Sequence, residues 1–100
     1  MTERIRFSIK EFKDFLILEF VITTPSGTID PIDLKEIVLP KMPLNTGIAI
    51  SGRGPVWLYC NLAHMLHPAR WVGTFEPRSN SIIVVSSHVN KPTAGDVISL

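Results

Sequence analysis

The chain has a single cysteine, Cys60, and nothing to pair with it. An intrachain disulfide is excluded, and so is a zinc site built from cysteines alone. Long hydrophobic runs are also missing. Apolar stretches such as Phe15–Leu18 and Ile82–Val85 fall far short of the roughly 18 residues of a membrane span. The opening stretch Met1–Arg6 has no apolar core, so no secretory signal is read there. Dense Lys/Arg clusters are absent, which argues against a surface for duplex DNA. There is no internal repeat, low-complexity tract or linker. These absences leave one small domain, residues 1–100, expected to be soluble and cytoplasmic. With 45% apolar residues, it has ample material for one core.

Charge is unevenly placed. The net charge is only +1. Residues 1–39 hold most of the acids. Residues 40–100 hold Lys41, Arg53, Arg70, Arg78 and Lys91 against Glu76 and Asp96, together with all three histidines. That bias suits an anionic ligand.

Residues 4–9 alternate, with Ile5, Phe7 and Ile9 on one side, and read as a half-buried strand. Residues 15–22 form its hairpin partner, ended by Thr24-Pro25-Ser26-Gly27. Asp30-Pro31 opens a short helix to about Ile37. Gly47–Ser51 reads as a buried strand. The longest helix runs from about Pro55 to His67 and stops at Pro68. Trp71–Phe75 and Ile82–Ser86 read as a second hairpin across the turn 77–81. Gly95–Ile98 adds an edge. The order β-β-α-β-α-β-β predicts an α+β fold, with two helices packed on one face of a mostly antiparallel sheet.

Three groups of residues carry potential chemistry. The turn Ser51-Gly52-Arg53-Gly54 joins a strand to a helix N-terminus. Glycines admit close backbone approach, free N–H groups favour phosphate, and Arg53 adds a planar donor. The alternative is a tight connection with a solvated Arg53. On the following helix, Asn61, His64 and His67 are spaced by three and lie along one side. The two histidines suit proton transfer, a metal or a phosphate contact. Structural histidines on a buried helix are the alternative. Cys60 lies one turn before His64, but nothing beside it marks an activated thiolate, so it reads as a small buried hydrophobe. Glu76-Pro77-Arg78 places a carboxylate at a strand end and a guanidinium in the next turn. The pair reads as a metal ligand with a phosphate clamp, or as a surface ion pair. His88 follows the last long strand, and a mixed site of His64, His67, Glu76 and His88 would suit Mn²⁺, Fe²⁺ or Zn²⁺.

The run Ile50-Ser51-Gly52-Arg53-Gly54-Pro55-Val56-Trp57-Leu58-Tyr59-Cys60-Asn61-Leu62-Ala63-His64 resembles CRISPR-associated ring nuclease family 3. The likeness continues through His67, Phe75-Glu76-Pro77-Arg78 and Val84-Val85-Ser86-Ser87-His88 to Gly95–Ile98. It implies a ferredoxin-like fold and a homodimer that can become a ligand-bridged tetramer. It also implies Mn²⁺-dependent cleavage of cyclic tetra-adenylate, the messenger of type III CRISPR systems. Deadenylation of RNA by a Mn²⁺-dependent 3′-exonuclease and non-catalytic binding of the messenger are the alternatives. By the same resemblance, His64, His67, Glu76 and Arg78 are catalytic. Ser51, Gly52, Arg53 and Gly54 contact the ligand, and Glu76 and His88 hold the metal. Glu76 stands where the family's acid is Asp and reaches about one methylene further. One residue is added in the hairpin before His88.

Overall fold

The computed structural model describes residues 3–100. Met1 and Thr2, which open the stretch read as lacking a signal, lie outside the described residues. Six strands form one mixed sheet in chain order: β1 (Ile5–Glu11), β2 (Phe15–Ile22), β3 (Gly47–Ser51), β4 (Trp71–Glu76), β5 (Ser81–Ser87) and β6 (Val97–Ser99). β1 pairs antiparallel with β2, β4 with β5, and β5 with β6. The three central strands β2, β3 and β4 are parallel, with Phe15 beside Gly47 and Gly47 beside Trp71.

The ferredoxin-like arrangement expected above is therefore corrected. The centre of the sheet is parallel, because residues 23–46 and 52–70 are crossovers rather than hairpin loops. Only one of the two expected helices is an α-helix, α1 (Val56–Met65). Residues Pro31–Glu36 make a 3-10 turn instead. The carboxylate of Asp33 folds back there: Oδ2 accepts the Asp30 N–H at 2.8 Å, and Oδ1 faces Arg4 Nε at 2.8 Å. Branched Ile37 and Val38, followed by Pro40, deny the segment a second α-turn.

Each face of the sheet carries a core. On the α1 side, Leu16, Leu18 and Phe20 of β2 and Ile48 and Ile50 of β3 pack with Leu58, Leu62 and Leu66. On the other side, Phe15, Ile17, Ala49, Trp71, Ile82 and Val84 form a second cluster. The period of two along β2 divides its side chains between these cores. Helix α1 buries only its Leu58 and Leu62 stripe. Its outer side, including Val56, Cys60, His64 and Met65, is exposed. Within one copy of the chain α1 is thus a surface helix, and Cys60, read above as a small buried hydrophobe, is exposed.

Candidate functional site

β3 and β4 are parallel, so Ser51 and Glu76 end at the same edge of the sheet. In open sheets with parallel strands, ligands gather at these carboxyl ends. The chain leaves β3 through Gly52-Arg53-Gly54 and enters α1 with Pro55 as its N-cap. Among the described residues no side chain caps the helix start; the Leu58 N–H donates to Pro55 O at 3.1 Å, which leaves the Val56 and Trp57 N–H groups open to a ligand.

The turn presses against β2. A Cβ on Gly52 would lie 2.6 Å from both the ring and the carbonyl oxygen of Phe20, and one on Gly54 would lie 2.8 Å from the same ring. Gly52 also has φ +155, a backbone that side chains resist. Both glycines are therefore required by packing as well as by any ligand. The Tyr59 ring meets the Phe20 ring edge-on at 5.4 Å. Its hydroxyl donates to the Gly52 carbonyl at 2.6 Å. Burial pushes the Tyr59 pKa above its ordinary value of 10.0.

Ser51, Gly52, Arg53 and Gly54 line a cavity of about 390 Å³, closed by Tyr59, Phe75 and Pro77. Phe75 and Pro77 flank Glu76, so the turn and the Glu76-Pro77-Arg78 segment share this end of the molecule. Glu76 Oε1 accepts the Arg78 N–H at 3.1 Å and faces Arg78 Nε at 3.5 Å. Arg78 is 92% exposed, so its charge remains available to an anion. Arg53 is exposed and has no carboxylate within 4.0 Å among the described residues. The same holds for Lys41, Arg70 and Lys91, so the cationic bias of the second part of the chain is largely unneutralised.

The histidines stand at the opposite end. α1 runs back along the sheet and carries His64 on its last turn, with His67 just beyond. His88 follows β5 and donates its backbone N–H to Arg70 O at 2.9 Å, across from the start of β4. The His67 and His88 rings meet edge-on at 4.7 Å, and His88 Nε2 lies 3.0 Å from His67 O. Arg70, just before β4, and Glu76, at its end, are six residues apart, which places the two groups about 20 Å apart. The structure thus joins Ser51–Gly54 with Glu76 and Arg78, and joins His67 with His88. It does not bring these two sets together within one chain.

This separation bears on where a metal could sit within one copy. Among the described residues, no three His, Cys, Asp or Glu side chains converge as a metal site would require. Glu76 and His88 of one chain cannot share an ion, and Glu76 is already engaged by Arg78. The donors expected for Mn²⁺ do not fit a metal within a single copy. A larger cavity, about 650 Å³, lies between residues 39–44 and Met65. Its walls are mainly apolar and it contains none of the candidate groups.

Tyr59 is the residue of this cavity that sequence reasoning did not single out. The available signal was its place in the first turns of the helix, seven residues after a glycine whose carbonyl its hydroxyl can reach.

A family model described as CRISPR-associated protein (Cas_csx3) matches residues 22–99. A protein from Aquifex aeolicus (strain VF5), described as uncharacterized, is 41% identical over 101 residues. That alignment covers 96% of this chain and 88% of the relative.

Proposed function

Because the chain belongs to the CRISPR-associated Cas_csx3 family, we propose that it is a ring nuclease that binds and opens cyclic tetra-adenylate, ending a type III CRISPR response. The observation that carries this proposal is the two-ended distribution of the site residues. One end offers Arg53, Arg78 and an open helix N-terminus, a set of donors suited to phosphate. The other offers His64, His67 and His88, groups suited to moving protons. A ring with four phosphates, held between copies of the chain, meets the turn end of one copy and the histidine end of another.

In that arrangement Arg53 and the backbone of the 51–54 turn bind a phosphate. Arg78, oriented by Glu76, stabilises charge developing on the scissile phosphoryl oxygens. His64 or His67 of the facing copy takes the proton from the nucleophile or returns one to the leaving oxygen. His88 holds its ring against His67. Mn²⁺ dependence belongs to the proposal as a requirement to be measured. No step is assigned to the ion, because the donors of one chain do not converge.

The test is incubation with cyclic tetra-adenylate, with Mn²⁺ or with EDTA, followed by chromatography. Linear di-adenylate formed only with Mn²⁺ is the expected result. A 2′,3′-cyclic phosphate end would identify the ribose 2′-OH as nucleophile, in place of direct attack by water. A ring that binds tightly and stays intact would make the chain a binding module. Preferential shortening of linear oligo-adenylate would make it a 3′-exonuclease. A ring that neither binds nor breaks refutes the proposal.

A further inference from the structure

The turn proposed to meet the phosphate packs against Phe20, but few hydrogen bonds fix the direction of its peptides. Gly52 and Gly54 impose few backbone preferences of their own, and no side chain caps the helix that follows. The Gly52–Arg53 peptide can therefore rotate unless something fixes it. One side chain does: the Tyr59 hydroxyl donates to the Gly52 carbonyl at 2.6 Å, and the Tyr59 ring is braced against Phe20.

The peptide between Gly52 and Arg53 is trans, since the only cis bond among the described residues is Lys91–Pro92. In a planar trans unit the carbonyl of residue 52 and the N–H of residue 53 point in opposite directions. A carbonyl drawn toward Tyr59 therefore turns the Arg53 N–H away from it. No backbone acceptor for the Arg53 or Gly54 N–H occurs in the turn. The carbonyl, which would repel an anion, is meanwhile kept occupied.

We infer that Tyr59 is a positioning residue for the ligand-binding turn: its hydroxyl, seated on Gly52, fixes the Gly52–Arg53 peptide so that the Arg53 N–H and side chain face a phosphate. This rests on the proposed contact between the 51–54 turn and a phosphate of the ring. The role is orientation, without contact between Tyr59 and the reacting atoms. Phe20 is the support, because the glycines and the Tyr59 ring all lie against it.

Tyr59→Phe tests the inference, since it keeps the ring and removes only the donor. In the ligand-free ¹⁵N-labelled protein, the Arg53 and Gly54 amides should shift or broaden while those of Ile48 and Ile50 in β3 stay in place. The Kd for cyclic tetra-adenylate should rise about tenfold, the cost of one hydrogen bond expressed in affinity. If turnover occurs, the loss should appear in KM and leave kcat at saturation unchanged. Leu62→Val, which loosens the core away from the turn, should lower Tm and keep the wild-type Kd.

Unchanged Arg53 and Gly54 amides in Tyr59→Phe would overturn the inference. So would an unchanged Kd, or a loss of affinity matched by Leu62→Val at equal Tm. If the wild-type protein fails to bind the ring, the proposed function fails instead, and the amide comparison still decides whether Tyr59 sets the turn.

Discussion

Mixing two inactive variants provides the sharpest test of a site divided between copies. His67→Ala removes a group at the histidine end, and Arg78→Ala removes one at the turn end. These ends lie about 20 Å apart along β4, whereas a proton donor and a charge-stabilising group must both reach a scissile phosphate at about 3 Å. A site that takes one end from each of two copies can be rebuilt from the mixture, when an intact turn end meets an intact histidine end. With equal amounts and free exchange, about a quarter of such junctions are intact on both sides. Ring cleavage by the mixture should therefore return to about a quarter of wild type, while each variant alone stays near background. The assay is product chromatography under the wild-type conditions, after the proteins have equilibrated together. A mixture no more active than its components would refute the divided site and require His67 and Arg78 of one chain to act together, against the separation described here.

Four further outcomes follow from the same geometry. Asp33→Ala should lower stability by about 2 kcal/mol, because it removes both the bond to the Asp30 N–H and the nearer of the two carboxylates that face Arg4; at this chain length that is a Tm drop of about 10 °C. Arg4→Ala should cost less, since Arg4 is 42% exposed and its attraction is screened. Gly52→Ala should destabilise by about 3 kcal/mol through its collision with Phe20 and its positive φ, measured by urea unfolding. Tyr59 predicts alkaline behaviour: its folded pKa is raised above 10.0 by burial, so the unfolded chain loses this proton first. The stabilisation is fully present below about pH 10 and is lost as pH rises through the folded pKa. Unfolding free energy should fall across that window in wild type, and this part of the slope should vanish in Tyr59→Phe.

The strands were legible because their side chains alternate or cluster over short runs. β2 and β3 occupy the spans that the apolar pattern marked, and the remaining strands differ at their ends by a few residues. The pairing was not legible in the same way, because periodicity reports faces and says nothing about neighbours. The length of residues 23–46 and 52–70 was the available sign of parallel crossovers. The segment after Asp30 looked like a helix from its cap and proline. The Asp33 carboxylate also pairs with Arg4, just before β1, a tertiary contact that local propensity does not contain. At the site, Ser51–Gly54 and Glu76–Arg78 were recognised singly, and the parallel pairing of β3 with β4 explains why they meet. His67 and His88 meet because the end of α1 and the end of β5 return to the start of β4. No spacing in the sequence revealed that this meeting occurs far from Glu76.

The sheet's strand order has a consequence for how the molecule is made. Every strand lies beside the one that precedes it in the chain, so synthesis from the N-terminus never has to insert a late strand between two early ones. The β1–β2 hairpin is complete when Ile22 has emerged, and each later strand docks on an edge already waiting. The slow steps are then the two crossovers, whose ends must close over long loops before their pairing repays the lost entropy. Until β5 arrives, β4 is an open edge rich in Trp71, Val72 and Phe75, and this interval is when the nascent chain most needs protection from pairing with another copy of itself.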